Sequence, residues 1–168
     1  MNENEKLRAD RMLFYKRDML KIDAVLNELL RLSSGKCALL VDKEGHMVAR
    51  AGTSSSFDVD TISALVAGSF AATREMARIL GEEEFTVMFH QGKRDNIQLN
   101  LVGDRTILTV IFDDATTVGM VRLYSNEAGK KLAEVFEEIA NSDRPDEDVN
   151  LEDDYDSSAK SRLDTMFK

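Results

Sequence analysis

Few side chains in this sequence are spaced to do chemistry. His46, His90 and the single Cys37 share no helix-face spacing, so a metal site has little to be built from. Gly35-Lys36-Cys37 resembles the end of a phosphate-cradling loop but lacks both the upstream glycine and the Ser or Thr that would reach a metal ion. No nucleophile-elbow glycine pattern flanks any serine. Glu82, Glu83 and Glu84 could in principle exchange protons with a substrate, yet three adjacent acids behind a helix-capping glycine ordinarily face water. Cys37 leads into Ala38-Leu39-Leu40-Val41 and reads as a small core residue of a buried strand rather than as a nucleophile. The expectation is a chain with no catalytic residue, metal or cofactor of its own.

The informative segment is instead Thr61 to Arg78. Ala64, Ala67, Gly68, Ala71 and Ala72 recur at three- and four-residue spacing, which thins one helix face until another backbone can approach it closely. Ile62, Leu65, Val66, Phe70, Met76, Ile79 and Leu80 are bulky enough to pack the same helix on a sheet. Part of the small face is then free for association, the alternative being that it only lies close to its own sheet. Arg74, Glu75 and Arg78 are the charged groups beside it.

The elements that position this helix follow from periodicity. Apolar residues from Glu5 to Leu32 repeat at helical spacing, and Ser33-Ser34-Gly35 stops them. Cys37–Val41 and Met47–Ala51 read as a hairpin around Asp42-Lys43-Glu44-Gly45. After the Ser/Thr-rich loop, Asp58 or Asp60 is the candidate N-cap of a second helix, Ile62–Leu80, closed by Gly81. Phe85–Phe89, Ile97–Val102 and Thr106–Phe112 read as an antiparallel meander with turns at Gly92–Asp95 and Gly103-Asp104. Val118, Val121, Ser125, Ala128, Leu132, Val135 and Ile139 then mark a third helix. The expected fold is an α+β three-layer sandwich: a five-stranded antiparallel sheet with the long second helix on one face and the first and third on the other.

Composition limits the partners. The 168-residue chain carries a net charge of −9, which repels nucleic acid and anionic membranes, and no apolar run is long enough for membrane insertion. A cytoplasmic protein is expected. Residues 1–19 read as a helical extension, 20–141 as the domain, 142–156 as an acidic linker around Pro145, and 157–168 as an amphipathic segment on which Ala159, Leu163, Met166 and Phe167 share a face.

The segment Ala64 to Thr73, with Leu80-Gly81-Glu82, Phe89-His90-Gln91-Gly92, Leu40-Val41-Asp42-Lys43-x-Gly45, Val110-Ile111-Phe112-Asp113 and Gly119-Met120-Val121-Arg122-Leu123, resembles the Roadblock/dynein light chain family. The resemblance is collinear from Leu20 to Ile139 and is strongest to the family's MglB-like branch of bacterial polarity and gliding regulators. It implies a profilin/Roadblock-like fold and a homodimer in which second helices lie side by side and sheets join at an edge strand, Phe85–Phe89. It further implies binding of one Ras-like small GTPase of the MglA type per dimer, with stimulation of GTP hydrolysis by repositioning the GTPase's own catalytic residues. Ala64, Ala67, Gly68, Ala71, Ala72 and Glu75 are then the dimer and GTPase platform. Arg74 and Arg78 are the candidates if an arginine finger exists, and otherwise are charges flanking Glu75. Leu163, Met166 and Phe167 match a terminal segment that docks on the GTPase and favours nucleotide exchange. Polarity adaptors are further implied partners, and the cell poles the implied location. Phe70 places a ring where the family has smaller residues. Two competing functions stay open: a scaffold that recruits the GTPase without activating it, and a small-molecule sensor built on the sheet.

Overall fold

The computed structural model describes residues 16–53 and 56–142, together with Met166. Its order is α1 (Lys16–Ser33), β1 (Cys37–Asp42), β2 (Met47–Gly52), α2 (Val59–Leu80), β3 (Val87–Gln91), β4 (Asn96–Val102), β5 (Thr106–Phe112) and α3 (Val118–Ser142). The strands form one antiparallel sheet in the order β2-β1-β5-β4-β3. β1 and β5 are central and buried on both faces, which is why each is an almost unbroken apolar run.

Strand alternation divides that sheet between two cores. Ala38, Leu40, Leu108, Val110 and Phe112 pack with Ile22, Leu26 and Leu29 of α1 and with Val121, Ala128, Leu132 and Val135 of α3. On the opposite face Cys37, Leu39, Val41 and Ile111 form one cluster, and Leu99 and Ile107 meet Val66 and Phe70 of α2 in another. The three-layer arrangement expected from the element order is therefore present. Phe70 is buried against the sheet, so its ring fills the interlayer space and is not offered to a partner.

The element ends have local causes. α2 begins at Val59, three residues before the periodic apolar pattern does, because Asp58 is the N-cap: its Oδ1 accepts from the Asp60 and Thr61 N–H groups at 3.0 and 3.5 Å. It ends where Gly81 takes φ 78°, with the Glu82 N–H donating to the Ala77 carbonyl at 2.9 Å. In α3, Thr117 Oγ1 accepts from the Met120 N–H at 3.2 Å. β3 starts at Val87 and not at Phe85, because the pairing with β4 spans Val87–Gln91, with one more bond from the Leu101 N–H to the Thr86 carbonyl.

The first helix is described only from Lys16, so the part expected over Glu5 to Tyr15 lies outside the described residues, as do Leu163, Phe167 and the linker 143–156. None of the described helices is long and apolar enough to cross a membrane.

Candidate interaction surface

α2 is held on the sheet by one narrow face. Val59, Ser63, Val66, Ala67, Phe70 and Ala77 are buried, and the helix packs chiefly on β1, β2 and β5. The opposite face is not the polar one that a helix at a water boundary normally carries. Leu65, Met76, Ile79 and Leu80, read from sequence as sheet-packing residues, are 62%, 51%, 72% and 71% exposed. The correction has a simple cause: a helix that is apolar around most of its circumference can turn only one side toward a sheet. Leu65, Gly68, Ala72, Met76 and Ile79, at spacings of three and four, thus form a continuous apolar stripe pointing away from the domain.

The small residues separate into two groups. Ala67 is buried, and Ala64 lies beside the β1–β2 turn: at Gly45, whose φ is 94°, a Cβ would come within 3.0 Å of the Ala64 Cα and 3.6 Å of the Ala67 Cβ. The hairpin turn thus packs beside both alanines, although Ala64 stays exposed. The turn is fixed by Asp42, whose Oδ1 accepts from the Glu44 and His46 N–H groups, both at 2.9 Å. Gly68, Ala71 and Ala72 are exposed, and a Cβ at Gly68 would meet nothing within 4 Å. A mid-helix glycine costs about 1 kcal/mol of helix propensity relative to alanine. Among the described residues no close approach requires it.

The charged neighbours are engaged. Arg78 Nε donates to Glu75 Oε1 at 3.0 Å, its Nη2 to the same oxygen, and this hydrogen bonding raises the guanidinium's pKa. Arg74 Nη2 lies 3.4 Å from Glu84 Oε1, which accounts for one acid of the Glu82–Glu84 run. These pairs are exposed, so each contributes little to stability, but both arginines have a carboxylate to leave before they could serve elsewhere.

Next to α2 lies the free edge of the sheet. β3 pairs only with β4, leaving its outer backbone groups unpaired within the described chain. It is anchored by Phe89, whose ring stacks on Phe112 at 6.1 Å between centroids and carries the Arg122 guanidinium 5.9 Å from its centre. Val87 remains exposed beyond that anchor.

The residues with chemical potential stay apart. Cys37 is buried, and burial pushes its thiol pKa up, with Arg50 acting weakly in the other direction. His46 Nδ1 lies 3.2 Å from Asp42 Oδ2 at the hairpin turn, while His90 is exposed on β3. Among the described residues no three or more His, Cys, Asp and Glu side chains converge as a metal site. Met166, the one described residue of the terminal trio, is half-buried against the core between the sheet and α1/α3. Sequence reasoning missed the exposed Leu65, Met76, Ile79 and Leu80 as surface residues; the signal for them was the missing polar face.

Residues 21–112 match the family model of the Roadblock/LC7 domain. The chain is similar to the solved structure of Myxococcus xanthus MglB, with 36% identity, a TM-score of 0.72, and coverage of 76% of this chain and 96% of that one. It is also similar to the gliding protein MglB from Thermus thermophilus, at 32% identity and a TM-score of 0.70, covering 75% and 96% of the two chains. A further MglB structure, described as having a tetrameric arrangement, is 32% identical with a TM-score of 0.72 over 76% of this chain and 96% of that one. No curated protein matches the chain.

Proposed function

Because the chain belongs to the Roadblock/LC7 family, we propose that it is a homodimeric regulator of a Ras-like small GTPase of the MglA type and has no catalytic site of its own. The observation that carries the proposal is the outward stripe of α2, which includes a glycine that no close approach among the described residues explains. A second helix laid against Gly68 and Ala72 can approach to backbone contact, and Leu65, Met76 and Ile79 then bury the apolar area that drives association, each large side chain supplying about 1.5–3 kcal/mol. The free β3 edge beside this helix allows two sheets to continue into one another through backbone hydrogen bonds. The tetrameric arrangement described for one MglB is in keeping with such self-association.

In this reading the paired helices make a platform from Ala64, Gly68, Ala71, Ala72 and Glu75, supported from beneath by Ala67 and the Gly45 turn, and one GTPase sits on each dimer. A surface of methyl groups and one carboxylate has no positive charge to give a phosphoryl-transfer transition state, in contrast to an inserted arginine. Activation therefore works by shape, pressing the GTPase's own catalytic residues into position. Residues 157–168 act separately by docking on the GTPase and promoting nucleotide exchange, and polarity adaptors use the remaining surface.

Multiple-turnover GTP hydrolysis by the cognate GTPase, with and without saturating protein, tests the activating reading. Stimulation is expected, and a flat rate with a stable complex on a sizing column would leave only the scaffold reading. The engagement of Arg74 and Arg78 by Glu84 and Glu75 is in keeping with a mechanism, activating or scaffolding, that uses no inserted arginine. Ala71→Arg places a long charged side chain on the platform and should abolish GTPase binding or dimerisation while the domain still melts cooperatively. Retained binding and retained dimerisation by a folded A71R protein would move the platform to another face.

A further inference from the structure

The β1–β2 turn carries one more interaction than its shape needs. Asp42 Oδ1 accepts from the Glu44 and His46 N–H groups, both at 2.9 Å, the Gly45 N–H donates to the Asp42 carbonyl at 3.0 Å, and the Asp42 N–H donates to the His46 carbonyl at 2.9 Å. Those bonds close the turn. The second carboxylate oxygen, Oδ2, lies 3.2 Å from His46 Nδ1, and Glu44 Oε2 lies 3.8 Å from the same nitrogen. This last contact acts on the imidazole ring and not on the backbone.

A carboxylate can only accept, so the neutral His46 ring carries its proton on Nδ1 and its lone pair on Nε2. No hydrogen bond reaches Nε2 among the described residues. The side chain is 36% exposed, and Asp42 fixes its orientation. An imidazole held by a carboxylate through one nitrogen is a pre-organised acceptor at the other.

The position of the turn gives that acceptor a use. Gly45 packs on α2, where a Cβ would lie 3.0 Å from the Ala64 Cα, and Ala64 is an exposed member of the platform. Glu44 and His46 adjoin Gly45 in the chain and therefore stand at the platform's border. Asp42 and Glu44 outweigh Lys43, the one cation of the turn, so this border attracts positive charge.

We propose that His46 is a contact residue for the platform's partner, its Nε2 accepting a hydrogen bond from a guanidinium or ammonium group on the GTPase surface. The contact rests on the GTPase reading above. Asp42 is its positioning residue, since it sets the tautomer and the direction of the ring. The methyl groups of α2 then supply shape, and His46 supplies a polar point that fixes where the partner sits.

Two measurements test the contact. In the intact chain alone, at about pH 8, above the ordinary imidazole range, long-range proton–nitrogen correlation spectra should place the His46 proton on Nδ1. Asp42→Asn keeps an Oδ1 for the two turn bonds but turns an N–H toward Nδ1, so the ring proton should move to Nε2 with the melt and the sedimentation unchanged. A parent ring protonated on Nε2 overturns the proposal without reference to any GTPase. In titrations with the cognate GTPase at the same pH, Asp42→Asn and His46→Ala should each raise Kd about tenfold, the effect of losing one hydrogen bond to a charged group. His46→Gln, whose amide oxygen can stand in for Nε2, should recover most of that loss. Parent-like affinity in Asp42→Asn and His46→Ala overturns the contact and leaves the GTPase reading intact, as does a His46→Gln protein no better than His46→Ala. A parent chain that binds no GTPase sinks the GTPase reading and the contact together.

Discussion

Two glycines, one packed against α2 and one within it, carry opposite expectations. Gly45 is needed by its own chain, since its φ of 94° and the 3.0 Å approach of Ala64 Cα leave no room for a side chain. Gly45→Ala should lower stability by roughly 1–3 kcal/mol in urea melts, through left-handed strain and displacement of the turn from α2. At Gly68, among the described residues outside its own turn of helix, no atom lies within 4 Å of a Cβ. Gly68→Ala should raise the stability of dilute, dissociated protein by about 0.5–1 kcal/mol and weaken self-association measured by sedimentation. A variant that gains stability without losing association would show that no backbone packs on this residue. Cys37 provides a third case: buried, with its thiol pKa raised, it should ignore a thiol reagent in the folded protein and react fully in denaturant.

The helices and strands show where local signals reach and where they stop. Asp58 is one of two candidate caps in the sequence. Three-dimensional geometry selects it, with the Thr61 hydroxyl donating to Oδ2 at 3.0 Å and two backbone N–H groups to Oδ1. These bonds, that of the Thr61 side chain first, hold the Asp58 carboxyl below the usual carboxylate range. A carboxyl depressed in the folded state stabilises the fold above its unfolded pKa, about 3.9. That contribution fades as the pH falls through the lower, folded value. Asp58→Asn should therefore flatten the acid limb of a stability-versus-pH curve below about pH 4 and leave the neutral region less affected, since asparagine is also a good cap. An unchanged acid limb would mean that other carboxylates dominate it. The start of β3 is not legible in the same way: Phe85 has the right residue type, yet strand pairing with β4 spans Val87 to Gln91, and that register belongs to the sheet and not to the segment.

For the molecule as a whole the decisive feature is asymmetry between the two faces of the sheet. One face is closed by two helices, while the other carries a single helix whose outer surface stays apolar. A protomer leaving Met76 half exposed and Ile79 and Leu80 more than two-thirds exposed has a surface suited to association. The double variant Met76→Asp, Ile79→Asp should shift sedimentation to the monomer at concentrations where the parent chain is associated, without loss of a cooperative melt, because neither side chain contributes to the core. Unaltered sedimentation would exclude this stripe as the self-association surface.

Element order, the three layers, the family and the helix that bears the small residues were all legible in the linear chain. Each of these depends on local periodicity or on collinear motifs, which a chain displays in full before it folds. Which apolar residues of α2 meet the sheet was settled by folding, because Leu65, Met76, Ile79 and Leu80 extend the apolar surface beyond the one face that a sheet can cover. The close approach of the Gly45 turn to Ala64 and Ala67 was hidden in the same way, since it depends on a hairpin about twenty residues earlier in the chain. Gly68 remains as the small residue that no close approach among the described residues requires, and the reason for it lies at a level of structure beyond local periodicity.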